Sequence, residues 1–328
     1  MKFSVRETIA KKSQIKLSVK DKKLIQLLLQ NARIPITQLA KKVGISKSAI
    51  VQKISSLKNK GVLLSPILHY KLSSYGEDLY GLIISTQIGI DQKQISEKIL
   101  SLKEIGVVIW SNSHFNIGLI LNGDSPQETV DKVNKIIEIK DFRLFKFKEN
   151  WFHPPHMFKE VNDIRISKNE IIKIDEIDKK IINVLIQNPL ATFAEISTKT
   201  RLAPLTIKKH LNFMEKNQII LPSYMVDFWL CGKEAISINL ISRGKGNTDA
   251  LINHLLKIPS VSNIWESHHE WNLNFILWVD EQFEANKIIN DLMTKFAILN
   301  IDVSTIVGFS GKYLRQSQSP KFHPMFLH

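Results

Sequence analysis

An α+β fold built twice in one chain is what this sequence predicts, on three observations. Residues 21–64 repeat: advanced by 157 positions, Asp21-Lys22-Lys23-Leu24-Ile25 falls on Asp178-Lys179-Lys180-Ile181-Ile182, and Ile50, Ile54 and Leu57 fall on Ile207, Leu211 and Met214 without a gap. Each copy has apolar residues at the i, i+3/i+4 spacing of short core-facing helices. After each copy, apolar segments of strand length and amphipathic helices follow in the order β-α-β-β-α-β. Two winged helix-turn-helix domains alternating with two ferredoxin-like sandwiches is the arrangement those patterns imply.

The first helix opens at Ser18, a residue able to cap it, and carries Leu24, Ile25, Leu28 and Leu29 on one face. Asn31-Ala32-Arg33-Ile34-Pro35 breaks it. Thr37 is expected to cap a short second helix with Leu39 and Val43 inward, and Gly44 supplies the left-handed residue of the turn. Ser46 caps a third helix with Ile50, Ile54 and Leu57 inward, and Gly61 ends it. Residues 62–70 read as the hairpin that forms a wing.

In the following segment, residues 78–88 predict a strand and 92–103 a helix. Residues 107–113 and 115–121 predict two strands, 125–139 a helix, and the phenylalanines around 142–147 a last strand. The second copy repeats the scheme with helices across 175–217, strands at 235–241, 261–267, 271–279 and 302–309, and helices at 248–257 and 283–296. Trp110 and Trp265 fall on equivalent strands, so the duplication includes the sandwich. The predicted boundaries are a basic arm (1–16), helix-turn-helix 1 (17–70), sandwich 1 (71–150), a linker holding Pro154 and Pro155 (151–171), helix-turn-helix 2 (172–226), sandwich 2 (227–311) and a tail (312–328).

Charge narrows the function. The chain of 328 residues has a net charge of +14, and residues 1–65 hold fifteen Lys and Arg against Glu7 and Asp21. The second module is nearly balanced, with eight basic and six acidic residues over 170–225. Concentrated positive charge attracts a polyanion over long range, either nucleic acid or an anionic membrane surface. The single cysteine, Cys231, permits no internal disulfide and no Cys-based zinc site, which fits a reducing, cytoplasmic setting. No apolar run is long enough for a membrane span, and the basic N-terminus lacks the apolar stretch of a secretory signal.

With Ile50, Ile54 and Leu57 inward, the third helix turns Lys47, Ser48, Val51, Gln52, Lys53 and Ser55 outward. Such a face can enter the major groove: Gln52 suits adenine, Lys53 guanine or phosphate, and Val51 a thymine methyl. Arg33, Lys41, Lys42, Lys58 and Lys60 surround it as candidate phosphate contacts. The second copy presents Leu205, Thr206, Lys208, Lys209, His210 and Asn212 in the same places. No residue set has the spacing of a known catalytic or metal centre, and Gly244-Lys245-Gly246 reads as a short turn without a phosphate-loop helix.

The motifs Ile36-Thr37-Gln38-Leu39-Ala40-Lys41-Lys42-Val43-Gly44-Ile45-Ser46 and Ile50-Val51-Gln52-Lys53-Ile54-Ser55-Ser56-Leu57-Lys58-Asn59-Lys60-Gly61-Val62, followed by β-α-β-β-α-β, resemble the Lrp/AsnC (feast/famine) family of transcription regulators. The resemblance runs over about residues 17–150 and 172–309. It implies winged helix-turn-helix reading of double-stranded DNA, a domain for oligomerisation and for a small effector such as an amino acid, and a pair of modules that relatives obtain by dimerising. The second copy departs from the pattern. Arg201 replaces the turn glycine, Ala203 the capping serine (with Pro204 behind it to fix φ), and Gln218 the terminal glycine.

The family's glycine-aspartate pair near the effector pocket is absent. Ser113-His114-Phe115-Asn116 and His268-His269-Glu270-Trp271-Asn272 stand there, making His114, Asn116, His268, His269 and Asn272 the pocket candidates. The chain also resembles the sirohaem decarboxylases, but its comparable strands lack the arginine pair that a tetrapyrrole's carboxylates need. The expectation is therefore a sequence-specific regulator without cofactor, metal or enzymatic activity, associated with the nucleoid and with no membrane partner. It acts as a pseudo-dimer within one chain or as a homo-oligomer. A nucleoid-organising protein of low sequence preference is the alternative.

Overall fold

The computed structural model describes residues 14–76, 78–87, 89–152, 158, 172–268, 271–312 and 322–324. Most of the expected basic arm, linker and C-terminal tail lies outside these residues, as do His153, His156 and His269.

The first module is α1 (Val19–Gln30), α2 (Ile36–Val43) and α3 (Lys47–Asn59), followed by β1 (Leu63–Tyr70) and a single turn, α4 (Leu72–Tyr75). Next come β2 (Leu79–Ser85), α5 (Gln92–Ser101), β3 (Ile105–Ser111), β4 (Ile117–Asn122), α6 (Pro126–Asn134) and β5 (Asp141–Trp151). The second copy gives α7 (Glu176–Gln187), α8 (Phe193–Thr200), α9 (Pro204–Lys216) and β6 (Ile220–Val226). It continues with β7 (Glu234–Ser242), α10 (Lys245–Leu255), β8 (Val261–Ser267), β9 (Leu273–Val279), α11 (Gln282–Lys295), β10 (Ile298–Lys312) and a short β11 (Phe322–Pro324).

Local chemistry sets the helix ends. Ser18 and Asp21 form a reciprocal capping box on α1, and Asp175 with Asp178 does the same on α7. Thr37 does not cap α2; that helix starts two residues earlier, at Pro35, with no side-chain cap, whereas the matching residue of the second copy, Thr192, boxes α8 with Glu195. Leu24, Ile25 and Ile50 are fully buried in the first module, as are Ile181, Ile182 and Ile207 in the second. Each such side chain contributes about 1.5–3 kcal/mol of apolar burial. Gly244 does not end in a plain turn: with φ 80 it leads directly into α10.

The departures of the second copy appear as backbone strain. Arg201 sits at φ 59 and Gln218 at φ 56, where their counterparts Gly44 and Gly61 sit at φ 76 and φ 73. The left-handed region costs a residue with a Cβ about 1 kcal/mol. Arg201→Gly and Gln218→Gly are therefore each expected to stabilise the protein by up to about 1 kcal/mol, less the entropy glycine returns to the unfolded chain. Denaturant midpoints of the two variants against the parent check this.

Two features differ from expectation because the partner strands are distant in sequence. The first is the wing. Residues 62–70 do not fold back on themselves: β1 pairs antiparallel with β6, from Leu63↔Val226 to Tyr70↔Ile220, so one two-stranded ribbon serves both modules. Tyr224 and Val226 of β6 pack in the core of the first module, and Leu68 and Tyr70 of β1 pack against that of the second. Ala32 N donates to Pro222 O at 2.8 Å, adding a backbone tie. The two modules are thus joined by an exchange of strands.

The second is the sheet. Each half keeps its β-α-β-β-α-β order, giving β3-β4-β2-β5 and β8-β9-β7-β10, all antiparallel. The two sandwiches, expected to pair with each other as a pseudo-dimer, do so by merging their sheets at both edges: β5 pairs with β8, and β10 pairs with β3 as well as with β7. The result is one closed eight-stranded barrel, with β11 laid against β10. Closure satisfies four edges that would otherwise expose unpaired amides and carbonyls. Helix residues Ile99, Val130 and Val133 form one core with Leu82, Val108 and Leu119, and Leu251, Ile252 and Leu292 form another with Ile238 and Phe275. The helices therefore lie outside the barrel, and the opposite strand face lines its lumen. Trp110 and Trp265 occupy equivalent strands yet face opposite ways. Trp110 Nε1 donates to Ser96 on the helix side, whereas Trp265 turns inward onto Phe147, past a register shift at Asn263, φ 46.

His69 of β1 lies between the wing ribbon and Phe152, on which it stacks. Among the described residues its Nε2 has no hydrogen-bond partner, and burial of the ring pulls its pKa from 6.5 down to about 3, although the residue as a whole keeps some exposure. The native ring is neutral, so the unfolded chain takes up the proton first as pH falls. The stability His69 contributes is complete above about pH 6.5 and declines from there toward pH 3. Going from pH 7 to pH 5 is expected to cost up to about 2 kcal/mol. Denaturant titrations should show this loss in the parent and a smaller one in His69→Leu.

Candidate nucleic-acid interface

The recognition helices are α3 and α9. On α3, Ile50 and Leu57 are buried while Lys47, Ser48, Val51, Gln52 and Ser55 are exposed, leaving an unobstructed outer face. Lys41 and Lys42 at the end of α2 and Lys58 and Lys60 at the end of α3 are exposed beside it. Lys58 also lies over the Tyr224 ring, 5.3 Å from its centroid, which fixes it against the wing ribbon. On α9, Lys208, Lys209 and Asn212 are exposed, Thr206 is half-buried, and Leu205 is 79% exposed at the first turn.

Three predicted DNA contacts are engaged inside the protein instead. Lys53 Nζ bonds Asp21 Oδ1 at 2.7 Å and ties α3 to α1. Burial pushes the Asp21 carboxyl up, but hydrogen bonds from Lys53 and Ser18 outweigh it and leave it below the ordinary carboxylate range. His210 occupies the same position in the second copy: its Nδ1 lies 2.8 Å from Asp178 and 3.9 Å from Asp175. One basic group on each recognition helix thus anchors that helix to its module. Asp175, Asp178 and His210 form the only close trio of metal-ligating side chains among the described residues, but the capping box and the imidazole contact already occupy them.

Arg33 is the third. Its Nη1 donates to Pro189 O at 3.2 Å and Ala191 O at 2.8 Å, and Nε lies 3.8 Å from Glu215. Burial lowers its pKa, with Glu215 opposing. Arg33 therefore bridges the two modules through acceptors supplied entirely by the other copy.

The predicted effector pocket does not assemble. His114 is largely exposed, 3.7 Å from Asp141, and His268 is also exposed. Asn116 Oδ1 accepts from Thr86 N at 3.1 Å. In the matching place Asn272 accepts from Ser242 N at 2.9 Å and donates to Ser242 O at 2.8 Å. Both asparagines are clamps between strand ends, each reaching thirty residues back along the chain.

The paired helix-turn-helix modules, with strand-exchanged wings and exposed recognition faces, define a winged helix-turn-helix DNA-binding protein. The winged helix-turn-helix DNA-binding family profile matches residues 17–63 and again 174–220. An uncharacterized HTH-type transcriptional regulator of Pyrococcus furiosus is 30% identical over 104 residues, covering 30% of this chain and 67% of that protein. HTH-type transcriptional regulator FL11 of Pyrococcus horikoshii is 24% identical over 120 residues, 36% of this chain and 80% of FL11. LrpA of the same organism is 39% identical over 44 residues, so this chain spans only 31% of LrpA's length. The chain belongs to the Lrp/AsnC family of helix-turn-helix regulators. Among solved structures, the siroheme decarboxylase NirDL shares its fold, with a TM-score of 0.51 at 13% identity over 88% of this chain and 91% of that one.

Proposed function

We propose that the chain is a sequence-specific transcription regulator acting as a covalent pseudo-dimer. In this reading α3 and α9 address neighbouring half-sites about one helical turn apart. The observation that carries it is the β1–β6 ribbon with the Arg33 bridge, which fixes the two recognition helices in one frame. The outer faces differ: Ser48, Val51 and Gln52 in one copy stand where Leu205, Lys208 and Lys209 stand in the other. The preferred site is accordingly asymmetric. Each barrel half, by its strand order, is read as a ferredoxin-like unit whose partner half takes the place of a second subunit. No described helix is long and apolar enough to cross a membrane.

The charge of the first module favours a second reading, a nucleoid-associated protein with little sequence preference. The tetrapyrrole chemistry named for NirDL finds no arginine or lysine among the described lining of the lumen cavity to hold a macrocycle's carboxylates. Measuring the mass of the complex on a duplex carrying one two-part site tests the pseudo-dimer. One chain per duplex supports it, and two chains per duplex, each using one module, contradict it.

A further inference from the structure

We propose that the barrel lumen is a binding site for a small organic cation, an alkylammonium or methylated amine. The proposal concerns the barrel and does not depend on the DNA-binding reading.

The strands of the two halves present unlike walls to the cavity. The first half contributes mostly apolar groups, among them the rings of Phe145 and Phe147, together with Ser111 and Ser113; the second contributes mostly polar ones, Asn239, Asn274 and Asp302 among them, together with Ile276 and Trp265. Phe145 and Phe147 meet edge to face at 5.3 Å, and Phe147 lies 4.7 Å from Trp265, so three aromatic rings cluster on one side.

On the polar side the two asparagines are linked to each other and to Asp302. Asn274 Nδ2 donates to Asn239 Oδ1 at 2.7 Å, with Ser237 Oγ and Ile238 O at 3.3 and 3.2 Å, and Asn239 Nδ2 donates to Asp302 Oδ2 at 3.3 Å. Asp302, the one charged residue of the described lining, keeps acceptor capacity beyond its bond from Asn239. Among the described residues no basic side chain pairs with Asp302. A carboxylate in a cavity wall with no basic partner is available to a cationic ligand. Aromatic faces opposite a carboxylate are the arrangement that recognises an organic cation, through the ring quadrupoles on one side and charge-assisted hydrogen bonding on the other.

An anion meets the carboxylate here, and a neutral apolar molecule leaves the acceptors unpaired. The cavity, about 90 Å³ in volume, has room for a small molecule.

Calorimetric titration of the intact protein with propylammonium, trimethylammonium, neutral 1-propanol, propionate and potassium ion tests the assignment. The account expects one of the amines to bind at least tenfold more tightly than every other class of probe. Asp302→Asn should weaken that binding at least tenfold while leaving DNA affinity unchanged. Phe147→Leu, which keeps the carboxylate, should weaken trimethylammonium more than propylammonium. Equal binding of propanol, preference for propionate, competition by potassium at equal concentration, no binding by any probe, or an undiminished Asp302→Asn protein would each overturn the proposal.

Discussion

Replacing Lys41 and Lys42 together by alanine is expected to weaken binding to every duplex by about tenfold to a hundredfold at 0.1 M salt, without changing which duplex is preferred. Both ammonium groups are exposed beside α3 at the C-terminal end of α2, placed to follow the phosphate backbone rather than the base edges. Each phosphate contact releases condensed counterions, so losing two should flatten the slope of log affinity against log salt by about 1.8. Gln52→Ala should behave in the opposite way. Gln52 is exposed in the middle of the α3 outer face, and its amide can donate and accept together on one base. Its loss should narrow the gap between preferred and altered duplexes by about 1–3 kcal/mol and leave the salt slope alone. If the two variants give the same pattern, α3 is not the reading helix.

Arg33→Ala is expected to act on the frame rather than on the contact. The side chain bonds two carbonyls of the other module and faces Glu215, and hydrogen bonds from a charged group of this kind contribute about 1.5–3 kcal/mol each. The variant should lose on the order of 2–3 kcal/mol of unfolding free energy. It should also tolerate half-sites moved by one or two base pairs that the parent rejects, because the second module is no longer held in register. A phosphate contact would show the reverse: unchanged stability, unchanged spacing preference and a salt slope flatter by about 0.9. Thermal unfolding combined with affinities for a spacing series separates the two roles.

Much of the helical part was legible from sequence because its causes are local. Ser18, Ser46 and Gly44 act within a turn of where they stand, and the apolar rows at Leu24, Ile25 and Leu28 define one face with no help from elsewhere. Arg201 and Gln218 were legible in the same way, since the glycine they replace is visible in the other copy.

What was missed involves partners far away in the chain. Residues 62–70 read as a hairpin closed on itself, whereas they form one strand whose partner lies 150 or more residues away in β6. That the two β-α-β-β-α-β units pair follows from the pseudo-dimer reading, but nothing in the local pattern says that they do so by joining strand edges. Arg33 has the residue type and neighbourhood of a phosphate contact, yet its acceptors belong to the second copy. For Lys53 and His210 a signal did exist. Asp21–Lys53 and Asp178–His210 are acid–base pairs at the same separation of 32 in both repeats, a recurrence that marks them as mutual partners rather than as parts of an outward face. Nothing in the local pattern marks a lumen; only the closed barrel brings Asp302 opposite Phe145 and Phe147.

The central claim is that one chain reads one asymmetric two-part site, and selection of bound duplexes from a random pool tests it most directly, with the winners' affinities taken at two salt concentrations. The account expects enrichment of two unlike half-sites about one helical turn apart, in fixed order and spacing, bound with a steep salt dependence. Tight, salt-sensitive binding with no enriched sequence, or enrichment of a symmetric palindrome, would contradict it.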